Sequence, residues 1–183
     1  MQTTDHQGQE AANAQPIAPA RVQPPLYFAV SPRKLMVMYF CTMGLYGTYW
    51  FYKNWDLIKE RERSSISPVW RSLLEFLFCY SCFARIRATA KEHHLEVSLA
   101  AGPLTAGFIL VGLLSVGPDP CWVLSSLAGF FLLPAQKVAN RINAQLAPGH
   151  DPNRHFSGVN IATITTGGLL SLASVVWSFW PVG

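Results

Sequence analysis

Apolar positions along the chain fall into five blocks separated by polar stretches, at residues 35–52, 70–86, 98–116, 121–136 and 159–180. None of the blocks alternates with period two, although 162–168 is rich in threonine, so strands are not expected. A helix that crosses a bilayer needs about 20 mostly apolar residues, with a range of about 17–25. The blocks at 98–116 and 159–180 meet that requirement, and Gly117-Pro118-Asp119-Pro120 is a tight turn that folds 98–116 and 121–136 into an antiparallel hairpin. Pro134 should kink the second arm before the polar run 137–145 leaves the bilayer. The pattern predicts an all-α fold: an integral membrane bundle of about five apolar helices spanning 26–183.

The first two blocks are less regular. Block one is crowded with aromatic residues, among them Tyr39, Phe40, Tyr46, Tyr49, Trp50, Phe51 and Tyr52, beside Lys53 and Trp55, which suits a headgroup interface. Block two opens with Ser67 as a helix cap and Pro68 in the first turn, and the helix is expected to run to about His94. Its most apolar part, 73–84, is only about 12 residues long, short for a span. Residues 1–25 are Gln, Ala, Pro, Thr and Asn with almost nothing to bury, and are expected to stay disordered. No apolar stretch lies near enough to the start to act as a secretory signal.

Composition strengthens the membrane assignment. Only 13% of the 183 residues are charged, against about 25% in soluble domains, and the mean hydropathy is +0.22. The 14 Lys and Arg are unevenly placed, with none between Ser98 and Gln136 and none after Arg154. Full crossing by all five blocks, with the N-terminus inside, leaves 9 basic residues in the cytoplasm and 5 outside. If blocks one and two instead form a re-entrant or interfacial pair, all 14 are cytoplasmic, and if block two alone fails to cross, the split is 11 against 3. The 18-residue length of block one favours full crossing. All three arrangements put the 137–158 loop in the cytoplasm and the C-terminus outside.

Candidate chemistry is sparse. Arg71 and Glu75 are ionisable groups within block two, one helical turn apart, and such groups at membrane depth face a bundle interior or a cavity. They are expected either to pair with each other near the interface or to serve as a proton or ion relay. Small residues that let helices approach closely include Gly44, Gly47, Gly102, Gly112, Gly129 and Gly167, the last on a stripe with Thr163, Ser171, Ser174 and Ser178. Cys79 and Cys82 have zinc-like spacing but no second ligand pair, so all four cysteines are expected to act as small apolar residues. His93 and His94 point about 100° apart on a helix, and no common zinc, nucleophile or phosphate-loop motif occurs. No enzyme activity, metal or cofactor is expected. The basic clusters flank apolar blocks, which suits anionic lipid rather than nucleic acid.

The run Thr42-Met43-Gly44-Leu45-Tyr46-Gly47-Thr48-Tyr49-Trp50 resembles the Thr-x-Gly-(Leu/Ile)-Tyr-x-x-Tyr-Trp hallmark of a family of small bacterial inner-membrane proteins of unknown function. Ile66-Ser67-Pro68-x-Trp70-Arg71 and Pro152-Asn153-x-x-Phe156-Ser157 are similar to later stretches of the same family, so the resemblance covers most of 26–170. It implies a bacterial cytoplasmic-membrane location and an all-helical fold, and supplies no catalytic residue. The expected role is assembly, scaffolding or accessory function through helix packing. The expected partners are the lipid bilayer and a second copy of the chain or another membrane protein. The alternative is a homo-oligomeric transporter or channel using Arg71 and Glu75.

Overall fold

The structure is a computed structural model that describes residues 23–118 and 120–179. The expected disordered tail at 1–25 falls almost wholly outside the described residues, as do Asp119 and Trp180. Among the described residues all regular structure is helical: α1 (Pro32–Cys41), α2 (Leu45–Glu62), α3 (Pro68–Leu73), α4 (Glu75–Glu92), α5 (Ala101–Gly112), α6 (Cys121–Ser125), α7 (Leu132–Leu146) and α8 (Gly158–Ser178). A 3₁₀ turn, Leu113–Val116, extends α5, and another, Ser126–Phe131, joins α6 to α7. Pro134, which has no N–H to donate, lies in the first turn of α7 directly after that tighter stretch.

Block one is not a single helix. The chain reverses at 42–44, where Met43 has φ +47° and Gly44 φ +92°. The Gly44 N–H reaches back to the Tyr39 carbonyl at 2.9 Å, closing α1. Thr42 serves both helices, since its hydroxyl donates to the Met38 carbonyl (2.8 Å), which also takes the Thr42 N–H, and accepts from the Tyr46 N–H (2.9 Å), an orphan donor of the first turn of α2. The Thr-x-Gly-Leu-Tyr run is thus the hinge of a helical hairpin. Uncharged residues on both sides of the hinge gave it the look of a continuous span.

Block two is also broken. Leu74 (φ −101°, ψ 41°) separates α3 from α4, and the Ser67 side chain makes no capping bond although Pro68 occupies the first turn. The five expected apolar helices are therefore eight shorter elements. Two helical stretches are long and apolar enough to cross a membrane, Cys121–Leu146 and Gly158–Ser178, while Ala101–Val116 is apolar but shorter.

Aromatic rings fill the centre of the bundle. Phe51 packs against Trp50, Phe83 and Phe108 at centroid distances of 4.9, 6.0 and 5.6 Å. Trp50, Trp55, Phe51 and Phe83 are fully buried, and the free thiols of Cys79 and Cys82 are buried in the same core. On α8, by contrast, no residue is buried. This helix lies against α1 and starts from a capping box in which Ser157 and Asn160 exchange side-chain and backbone bonds.

Contacts fix how far α1 reaches along α8. At its start, the Lys34 ammonium holds the loop before α8 through Asn153 Oδ1 (2.7 Å) and the His155 carbonyl (2.8 Å). At its end, Gly167 is pressed against the Cys41 carbonyl oxygen. The far end of α8 instead meets α6, where Trp122 Nε1 donates to Ser178 Oγ at 3.0 Å. The α1–α2 hinge therefore meets α8 about 14 Å from its first residue, near its middle.

Candidate functional site

The most elaborate polar construction among the described residues joins residues 26–30 to α7, and neither was singled out as a candidate site. Residues 26–30 enter the bundle without forming a helix, bending at Leu26 and Tyr27, and Tyr27, Phe28, Ala29 and Val30 are all buried. A buried segment outside any helix has no regular backbone partners, so its N–H and carbonyl groups need other bonds. Asn143 supplies two, accepting from the Tyr27 N–H (3.0 Å) and donating to the Tyr27 carbonyl (2.7 Å). Asn54 on α2 accepts from the Phe28 N–H (3.1 Å), Gln136 donates to the Phe28 carbonyl (3.0 Å), and Asn140 donates to the Val30 carbonyl (2.9 Å). Gln136 also donates to Asn140 and accepts from the Trp50 indole N–H. Gln136, Asn140 and Asn143 follow the i, i+4, i+7 spacing that places them on one face of α7. That spacing was the signal available in the sequence.

The strap is closed from outside by Arg61, whose guanidinium bonds the Leu26 carbonyl (2.9 Å) and the Tyr27 hydroxyl (3.1 Å) and lies 4.7 Å from the Tyr27 ring. The same hydroxyl meets Thr89 Oγ1 at 2.8 Å and the Arg85 carbonyl at 3.1 Å. Burial pushes the Tyr27 phenol above its ordinary pKa, with the Thr89 bond and the Arg61 charge opposing. At Lys34 burial lowers the ammonium, opposed by the charge of Asp151.

Arg71 and Glu75 do not form the expected pair. The Arg71 guanidinium stacks 4.5 Å from the Trp55 ring and 5.0 Å from Phe78, with Arg85 at 5.2 Å from the same indole. The ion pairs among the described residues are Lys53 with Asp56 and Arg85 with Glu62. The break at Leu74 explains the difference, because Arg71 lies in the last turn of α3 and Glu75 begins α4, so the one-turn register between them is lost. Glu75 lines a cavity of about 460 Å³ together with Tyr39, Thr48, Phe76, Phe108 and the hinge residues Met43 and Gly44. Its Oε2 is buried and has no hydrogen-bond partner among the described residues.

The glycines divide by contact. A Cβ on Gly47 or Gly129 would stand 2.7 Å from the Tyr39 ring, on opposite edges of it, and Gly44 lies under the same ring's hydroxyl. Gly102 and Gly112 make no such approach, with nothing within 4 Å of an added Cβ, so the close contact expected of them is absent. Gly107, which the sequence did not single out, is covered by the Phe131 ring. Gly107→Ala should therefore destabilise by about 1–3 kcal/mol through overpacking. Gly102→Ala and Gly112→Ala should be neutral or stabilising by up to about 1 kcal/mol through helix propensity. Thermal unfolding of the three variants in detergent checks this, and equal shifts would refute the contact assignment.

His150 bonds the Ala147 carbonyl through Nδ1 (2.8 Å), and no three His, Cys, Asp or Glu side chains converge as a metal site among the described residues. Comparison of the chain with protein-family models, with curated proteins and with solved structures finds no match.

Proposed function

We propose that this chain is a multi-pass protein of a bacterial cytoplasmic membrane that acts as an assembly or accessory subunit. The exposure of α8 carries the reading. Its 21 residues include a window of mean hydropathy 1.6, yet none is buried, which a soluble core helix of that composition would not tolerate. At 1.5 Å per residue it is about 32 Å long, against a hydrocarbon thickness of about 30 Å. Helix 121–146 supplies a second crossing, paired through the short 117–120 turn with Ala101–Val116.

Within that frame the α1–α2 hairpin is re-entrant, since its hinge meets the middle of α8 rather than its far end. Glu75, beside the hinge, then lies near mid-depth. This arrangement favours the re-entrant version of the topology over full crossing, and it brings every Lys and Arg of the described residues to the cytoplasmic side, with the C-terminus outside. Single cysteines at Ser64, Gly117 and His150 in a cysteine-free background test it. Gly117 should react with an impermeant thiol reagent in intact cells, whereas Ser64 and His150 should react only after permeabilisation. Labelling of Ser64 from outside would mean that α1–α4 cross fully.

The small-residue stripe of α8 is occupied inside the chain, by Cys41 at Gly167 and by Trp122 at Ser178. Leu169, Leu172, Val176 and Trp177 face outward instead, each more than half exposed. A partner subunit would pack on this face. A photo-crosslinking amino acid at Leu172 should yield a protein adduct in native membranes, and adducts with lipid alone would remove the assembly role.

A second reading, transport, is favoured by one observation, the unpaired Glu75 carboxylate at the hairpin hinge. Arg71 is no part of it, because its guanidinium is held against Trp55 and Phe78.

A further inference from the structure

We propose that the Glu75 cavity is a binding site for a small organic cation, an ammonium group bearing an apolar or aromatic substituent. The inference deepens the second reading but requires only binding, not flux.

A carboxylate drawn out of water is costly unless a cation or a full set of hydrogen bonds compensates it. Other acidic side chains show how this chain usually meets that need: Glu62 takes Arg85, and Asp56 takes Lys53, both near the surface. Glu75 has no such cation among the described residues, and its carboxyl has only the Thr48 hydroxyl beside it. Its Oε2 is buried without a partner, and the nearest arginine in sequence, Arg71, is stacked on two rings elsewhere. The fold thus carries a carboxyl group with no cation partner into a partly open cavity.

The walls define what could compensate it. Tyr39, Phe76 and Phe108 present aromatic surface, Ile109 and Leu113 present aliphatic surface, and Thr48 adds a hydroxyl. At about 460 Å³ the cavity falls among small-molecule sites, roughly 300–1,000 Å³, which are mostly apolar with a few placed polar groups. A bare metal ion fits poorly, since it needs several oxygen ligands at about 2.0–2.6 Å, and Glu75 is the one carboxylate of a lining whose other polar groups include the hydroxyls of Thr48, Ser115, Ser125 and Ser126. A substituted ammonium fits both features. Its charge meets Glu75, aromatic faces attract a cation within about 6 Å, and its apolar part replaces water against the remaining wall. Placement of Glu75 at a double helix break agrees, because Met43 and Gly44 of one hinge and the Leu74–Glu75 junction of the other bound the same space. Two hinges give the cavity walls that can adjust to a ligand, which continuous helices would not.

The test uses the full chain in a nonionic detergent, titrated calorimetrically with benzyltrimethylammonium. Saturable binding to one site per chain is expected, weakened at least about tenfold by Glu75→Gln and largely kept by Glu75→Asp. Phe76→Leu, at a half-exposed position where folding is not at stake, should weaken it about two- to fivefold. Toluenesulfonate, an aromatic ion of opposite charge, should not bind. Equal affinity of the wild type and Glu75→Gln, or equal binding of toluenesulfonate, overturns the proposal, as does absence of saturable binding. If Glu75→Gln does not fold, the comparison of the two probes on the wild type decides. Flux of the probe into vesicles is measured separately. Binding without flux keeps the site and removes the transport reading, whereas flux through the wild type without saturable binding removes the site alone.

Discussion

Replacing Asn143 with leucine should release the 26–30 strap from the bundle and cost roughly 2–6 kcal/mol. The figure follows from two groups: the Tyr27 N–H and carbonyl both depend on this one side chain, and a buried backbone group left without a partner costs about 1–3 kcal/mol. Leucine has as many side-chain heavy atoms as asparagine and somewhat more bulk, so the substitution opens no cavity and the hydrogen bonds are what is lost. Against a total stability of about 5–15 kcal/mol, the variant should melt far below the wild type or fail to accumulate. Proteolysis adds a local readout, because cleavage within 26–30 should appear under conditions where the wild-type segment resists. Unchanged melting together with unchanged resistance would show that the strap does not depend on the α7 amide row. Gln136 is the companion position. It ties Phe28, Asn140 and Trp50 together, so Gln136→Leu should have an effect of similar size on the same readouts.

The second large effect is expected at the Tyr39 ring, which Gly47 and Gly129 grip from opposite edges. Alanine at 129 would place a methyl 2.7 Å from Cδ1 and 2.9 Å from Cε1 and Cγ, at a ring enclosed on both sides. Overpacking of this kind costs about 1–3 kcal/mol, more than the roughly 1 kcal/mol that alanine gains over glycine in a helix. The net change should therefore be destabilising. In a Tyr39→Leu background the clash disappears and the propensity gain remains, so Gly129→Ala should become neutral or favourable there. A double-mutant cycle in unfolding experiments should thus return a coupling of about 0.5–3 kcal/mol. A coupling near zero would separate the glycine from the ring.

Both predictions depend on contacts between residues far apart in the chain, and that distance governs what could be read in advance. The apolar blocks were legible because burial in lipid or in a core demands runs of apolar side chains whatever their partners. The hairpin around 117–120 was legible because Pro and Gly act locally on the backbone. The break at Thr42-Met43-Gly44 carried a local signal too, a glycine in the left-handed region, yet the surrounding aromatic residues outweighed it. Leu74 carried no such signal. An ordinary leucine takes non-helical backbone angles there (φ −101°, ψ 41°), and with that break the Arg71–Glu75 pairing disappeared.

The candidate site divides in the same way. Glu75 was legible as an ionisable group in an apolar block, but its cavity is assembled from α1, α2, α4, α5 and the 126–131 turn, and no spacing along one segment encodes that. The strap is the clearest case of the limit. Residues 26–30 have no periodicity of their own, and the amide row that holds them lies more than 100 residues away, as in the Tyr27–Asn143 pair. By itself the sequence determined the helical class, the apolar character and the uneven placement of basic residues along the chain, since each follows from side-chain chemistry summed over neighbours in the chain. Only the tertiary structure decided where the helices break, which glycines touch a ring and which carboxylate is left unpaired, because those outcomes depend on how distant surfaces compete for the same buried space.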